Sequence, residues 1–81
     1  MIFEQRLSLP TIDKVNKFHR GILLIDCDVD LVTENFRYTI DAKSIMGIFS
    51  LDLTKPVILK AYTDDPRVIQ QIKDLIGEFE C

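Results

Sequence analysis

The chain has 81 residues, a formal net charge of −3 and 47% hydrophobic residues. A chain of this length can bury one small core. Its acidic balance without a basic run argues against direct binding to nucleic acid, which needs a cationic surface. No apolar run in the sequence reaches the ~20 residues that a membrane-spanning helix requires. We therefore expect residues 1–81 to form a single domain that contacts neither nucleic acid nor a membrane.

The compartment is inferred from the N-terminus and the cysteines. Residues 1–6 lack the basic head and apolar run of a secretory signal, so the cytosol is the expected location. The chain has two cysteines, Cys27 and Cys81. Cys27 falls on the apolar phase of a predicted strand and is expected to be a small core residue. A cytosolic chain does not favour a disulfide between them.

A strand followed by an amphipathic helix is predicted at the N-terminus. Residues 2–9 have strand character, and Pro10 ends the strand. The helix is predicted from about residue 11 to residue 20, and Gly21 is expected to terminate it. Its core-facing stripe has three- and four-residue spacing and comprises Ile12, Val15, Phe18 and Ile22.

Period-two alternation predicts two further strands, over residues 22–32 and 36–41, joined as a hairpin through a turn at residues 33–35. The polar phase of the first of them contains Asp26, Asp28 and Asp30. An EF-hand calcium loop starting at the first aspartate needs glycine at its sixth position and glutamate at its twelfth. This chain has Leu31 and Arg37 there. We therefore expect a solvated strand face and no metal site.

The second half contains a short apolar helix, a strand and a longer helix. The short helix is predicted from Ser44, a suitable N-cap residue, to about Leu51. A strand is predicted over residues 57–63. Asp65 as N-cap and Pro66 as the first helical residue begin the last helix. Its apolar stripe comprises Val68, Ile69, Ile72, Leu75, Ile76 and Phe79.

The predicted order is β-α-β-β-α-β-α. It favours an α+β architecture, an open-faced β-sandwich with a four-stranded antiparallel sheet and three helices on one face. A ferredoxin-like fold shares the first six elements and is the alternative.

The run Ala42-Lys43-Ser44-Ile45-Met46-Gly47-Ile48-Phe49-Ser50-Leu51 and the element order resemble HPr, the histidine-containing phosphocarrier of the bacterial sugar phosphotransferase system. The resemblance implies an HPr-like fold. It also implies a histidine, within a Gly-x-His-x-Arg-Pro-Ala-like motif at the start of the first helix, that accepts phosphate from Enzyme I. Residues 8–15 read Ser-Leu-Pro-Thr-Ile-Asp-Lys-Val instead. Ungapped counting from Ser44 places Asp13 near the histidine position, and the one histidine is His19, two helical turns later.

Ser44 matches the serine that HPr kinase/phosphorylase phosphorylates in family members from Gram-positive bacteria, where the phosphoserine form binds a catabolite-repression transcription factor. A phosphate there adds nearly two negative charges at a helix N-terminus, where they are favourable. The equivalent apolar face docks onto Enzyme I and other partners in the family. In this chain that face comprises Ile45, Met46, Gly47 and Phe49. An ordinary N-cap role for Ser44 and a core role for some of these apolar residues are the alternatives.

These residues favour a regulatory or binding protein, similar to the HPr paralogue Crh, which lacks the histidine and keeps the serine. We expect such a protein to need no cofactor and to have no catalytic residue; if it is active at all, it is a phosphocarrier and not a turnover enzyme. Two alternatives are open. One is an active phosphocarrier that accepts phosphate from Enzyme I on His19 or another atypical residue. The other is a divergent protein-interaction domain without phosphorylation.

Overall fold

The computed structural model describes residues 2–81, and the predicted order of strands and helices is confirmed there. The elements are β1 (Phe3–Leu7), α1 (Ile12–Ile22), β2 (Val29–Thr33), β3 (Thr39–Asp41), α2 (Ile45–Phe49), β4 (Val57–Ala61) and α3 (Pro66–Ile76), followed by a 3₁₀ turn at Gly77–Phe79. The four strands form one antiparallel sheet in the order β1-β4-β2-β3. No helix among these residues is long and apolar enough to cross a membrane.

The core lies between the sheet and the helices. Alternate strand residues point inward, so Leu31 of β2 and its partner Leu59 of β4 are both fully buried. The helices supply the other side of the core with Val15, Phe18 and Ile22 from α1 and Ile72 and Ile76 from α3. The C-terminal 3₁₀ turn closes the core through Phe79. Its ring packs edge-on against the ring of Phe18, with the ring centroids 5.9 Å apart.

The two predicted N-caps are confirmed. Ser44 accepts a hydrogen bond from the backbone N–H of Gly47, and Asp65 accepts one from Arg67. Thr11 caps α1 in the same way. Each cap satisfies one of the amides that a helix leaves without an internal partner.

Two expectations for α1 are wrong at its ends. Ile12 does not join the core stripe, because it is the first helical residue and the buried face begins one turn later, at Val15. Gly21 does not end the helix, which continues to Ile22 and has Leu23 as its C-cap. Gly21 instead allows the approach of α3, since a Cβ atom at this position would lie 2.3 Å from Cδ1 of Leu75.

The hairpin strands are shorter than the alternation predicted. β2 begins at Val29, because the pairing with β4 begins there, opposite Ala61. Asp26, Cys27 and Asp28 are therefore in the connection after α1, and Cys27 is half-buried against the core. β3 begins at Thr39, because Phe36 adopts a φ of 58° in the turn that precedes it.

The other differences concern only strand and helix ends. The expected spans of residues 2–9 and 57–63 shorten to β1 and β4, and α2 ends at Phe49 with Ser50 as its C-cap.

Candidate functional site

Ser44 lies on the surface at the start of α2, with its hydroxyl group in a defined position. Its side chain is exposed, and its Oγ accepts a hydrogen bond of 3.1 Å from the backbone N–H of Gly47. The backbone at Ser44 is extended, and its N–H donates to the carbonyl of Asp41 at 2.9 Å. The hydroxyl therefore combines a capping role with access from solvent.

The four apolar positions next to Ser44 divide into two pairs. Met46 and Phe49, three residues apart on α2, are 78% and 44% exposed. Ile45 is half-buried and packs against the core. Gly47 is also half-buried, and a Cβ atom there would lie 3.2 Å from Oγ of Ser44 and 3.3 Å from Cβ of Ile40. The exposed apolar surface beside Ser44 therefore consists of Met46 and Phe49, which we call the α2 face.

The turn before Ser44 is tied to α1 through Lys43. Nε2 of His19 lies 2.8 Å from the carbonyl oxygen of Lys43. The Lys43 ammonium group in turn donates to the carbonyl of Ile25, just after α1, at 2.7 Å. His19 is thus a half-buried link between two elements and not a free surface histidine.

The start of α1 carries a different set of groups. Asp13 is exposed in the first turn of the helix, where its charge complements the helix dipole. Thr11 uses its side-chain oxygen to cap this turn through the N–H of Lys14. The first turn therefore holds a carboxylate and a hydroxyl group.

Two solved structures share this architecture over nearly the whole chain. The phosphocarrier protein HPr from Bacillus anthracis str. Ames superimposes with a TM-score of 0.72 at 19% identity, covering 98% of each chain. HPr-C-His from Thermoanaerobacter tengcongensis gives a TM-score of 0.69 at 23% identity, covering 96% of this chain and 92% of that one. This chain has the HPr fold. No protein-family model matches the sequence, and no curated protein matches it either.

In this fold Ser44 is the N-cap of α2. Asp13 is in the first turn of α1, and His19 lies later on the same helix. Sequence reasoning missed the link from His19 to Lys43, because the two residues are 24 positions apart and belong to different elements.

One groove on this HPr fold lies away from Ser44. It has a volume of about 720 Å³ and runs between the β2–β3 hairpin and the segment that connects α2 to β4. The apolar part of the groove wall consists of Ile40, Leu51 and Pro56, and the exposed side chain of Tyr38 also lines the groove. Neither Ser44 nor the α2 face lines this groove.

Cys27 and Tyr62 are two further groups whose pKa is raised. Partial burial raises the pKa of the Cys27 thiol, and the positive charge of Lys43 opposes this effect. The Tyr62 hydroxyl donates a hydrogen bond of 3.0 Å to the Asp30 carboxylate, which raises the pKa of Tyr62. Residues 2–81 bring no three His, Cys, Asp or Glu side chains together in a group suited to a metal ion.

Proposed function

We propose that this protein is a regulatory or binding protein of the HPr type, which acts in bacterial carbon regulation and does not transfer phosphate through histidine. Ser44 is its phosphorylation switch, and the α2 face is its docking surface for partner proteins. The observation that carries the proposal is the exposed, ordered hydroxyl of Ser44 directly beside the exposed Met46 and Phe49.

The groups on α1 favour a switch over a histidine carrier. Asp13 stands in the first turn, where the resemblance assigns the phosphate-accepting histidine. His19, the one histidine, is half-buried, and its Nε2 is engaged with the carbonyl of Lys43. A phosphate-accepting imidazole must be reached by the donor enzyme, and the half-burial of His19 against the Lys43 turn restricts that access.

The partners follow from the resemblance to HPr. HPr kinase/phosphorylase is the modifying enzyme, and a transcription regulator or an Enzyme I-like surface is the docking partner, all in the cytosol. The two exposed side chains of the α2 face suit such contacts, because methionine and aromatic residues are enriched at protein interfaces. Ile45 and Gly47 support this surface from within, since both are half-buried.

Intact-protein mass spectrometry tests the phosphorylation. The chain is incubated with ATP and HPr kinase/phosphorylase, and separately with phosphoenolpyruvate and Enzyme I. We expect acid-stable phosphate from the first mixture in the wild type and none in Ser44→Ala. Ser50→Ala is the matched control, because Ser50 is an exposed serine at the other end of α2.

Each other outcome favours a different function. Acid-labile phosphate from the second mixture, lost in a His19 variant, means that a histidine carrier operates. Absence of phosphate in both mixtures means that the chain is an interaction domain without a phosphorylation switch.

A second experiment tests the α2 face. Met46→Asp places a charge on a residue that is 78% exposed, so the free energy of unfolding should change by less than about 0.5 kcal/mol. We expect the KM of the kinase for the chain to rise by about tenfold, as for an interface anchor worth 1–2 kcal/mol. Leu24→Asp, at an apolar residue that is 82% exposed and lies after α1, should leave KM unchanged. If both variants raise KM equally, the α2 face has no specific role in recognition by the kinase.

A further inference from the structure

The peptide group that joins Lys43 to Ser44 is held on both of its polar atoms. Its carbonyl oxygen faces Nε2 of His19 at 2.8 Å, and its N–H donates to the carbonyl of Asp41 at 2.9 Å. The Lys43 side chain adds a third tie through its bond to the carbonyl of Ile25. The contact with His19 joins the peptide group to α1, and the contact of the Lys43 side chain joins the same turn to Ile25, just after α1.

The protonation of His19 follows from its partner. A backbone carbonyl can only accept a hydrogen bond, so Nε2 must carry the proton and donate it. The link between α1 and the turn is therefore a hydrogen bond that His19 donates.

The hydrogen bond from His19, which we call the anchor, matters because α2 has only five residues. Isolated helices shorter than about 12 residues are barely stable in water, so contacts with the rest of the fold must keep α2 ordered. The position of the Ser44 hydroxyl depends on that order, since its Oγ is fixed by the N–H of Gly47 in the first turn.

We infer that His19 is a positioning residue for Ser44. It holds the Lys43–Ser44 peptide from α1 and so keeps the hydroxyl in a fixed place beside Met46 and Phe49. This inference rests on the proposed function, in which the kinase recognises the folded surface of Ser44 together with the α2 face. Loosening the anchor lowers the fraction of molecules that present this surface.

Kinase kinetics on three variants test the role. His19→Ala removes the donor, whereas His19→Gln keeps an N–H group that can reach the same carbonyl. Asn16→Ala is the matched control, because Asn16 is an exposed residue of the same helix with a similar helix propensity. We expect kcat/KM to fall by more than twofold in His19→Ala, mainly through KM, with about fivefold as the limit set by one lost hydrogen bond. The glutamine variant and the control should stay within twofold of the wild type.

Amide hydrogen exchange gives a readout that needs no kinase. The amides of Gly47 and Ile48 donate to Ser44, so they report the order of the first turn of α2. We expect them to exchange about fivefold faster in His19→Ala than in His19→Gln. Amides of the central strand β4 should keep their rates.

The two readouts separate the possible failures. Unchanged exchange and unchanged kinetics in His19→Ala overturn the inference, and so does faster phosphorylation of that variant. If the wild type itself is not phosphorylated, the proposed function fails. The exchange rates then decide alone whether His19 anchors the turn.

Discussion

The packing of α1 against α3 yields a prediction at Gly21. Replacing this glycine by alanine would place the new Cβ 2.3 Å from Cδ1 of Leu75 and 3.1 Å from its Cδ2. Non-bonded carbon atoms have their optimum at about 3.5–4.0 Å. The Leu75 side chain must therefore move, although it is half-buried between the helices. Alanine is also the better helix former, so the two effects oppose each other.

The sizes of these two opposing effects decide whether Gly21→Ala stabilises or destabilises the fold. Overpacking of a well-packed site costs about 1–3 kcal/mol, and exchanging glycine for alanine inside a helix gains about 1 kcal/mol. We expect Gly21→Ala to lower the free energy of unfolding by about 1 kcal/mol. Gly77→Ala is the matched control, because Gly77 has a helical φ of −52° and no atom within 4 Å of the new Cβ. It should raise stability by about 0.5 kcal/mol.

Thermal and urea unfolding, followed by circular dichroism, measure the difference. A gap of about 1.5 kcal/mol between the two variants corresponds to about 6–12 °C in Tm for a domain of this size. A double-mutant cycle isolates the contact: in a Leu75→Ala background, Gly21→Ala should no longer destabilise. If Gly21→Ala stabilises the wild-type chain as much as Gly77→Ala does, the close approach of α3 is not the reason for glycine at this position.

Three further predictions concern the surface. Ser44→Ala should cost about 1 kcal/mol in urea unfolding, because the first turn of α2 loses its cap; a cost near zero would mean that water replaces the hydroxyl. Phe36→Gly should raise stability by about 0.5 kcal/mol: it relieves about 2 kcal/mol of strain at the φ of 58°, but it loses about 0.5 kcal/mol of cation–π attraction to Lys60 and about 1 kcal/mol through the greater freedom of glycine in the unfolded chain. A lower Tm in this variant would contradict that balance. A thiol reagent at pH 8 should modify exposed Cys81 before Cys27, because burial raises the Cys27 pKa and reduces its thiolate; equal rates would indicate that the segment around Cys27 opens readily.

Features that depend on neighbouring residues could be predicted from the sequence. The caps at Ser44 and Asp65 are local, since each side chain bonds an amide two or three residues ahead. The three-four spacing in α3 correctly placed Ile72 and Ile76 in the core. The same kind of pattern gave the element order, and with it the α+β sandwich.

Features that depend on residues far apart in the sequence could not be predicted in this way. The alternation at Asp26 and Asp28 suggested a strand, but the strand pairing with β4 begins only at Val29. Glycine often follows the last residue of a helix, and Gly21 was predicted to do so, yet α1 continues through it to Ile22.

The candidate site shows the same division. The sequence alone determined that Ser44 begins a short apolar helix and that no histidine stands at the start of α1, because these are statements about residue order. Only the tertiary structure decided that Met46 and Phe49 are exposed while Ile45 is half-buried. It also decided that His19 reaches the carbonyl of Lys43, 24 residues further along the chain. The physical reason is that helix caps and periodicity depend on interactions within one or two turns, whereas burial and such hydrogen bonds depend on which elements the fold brings together.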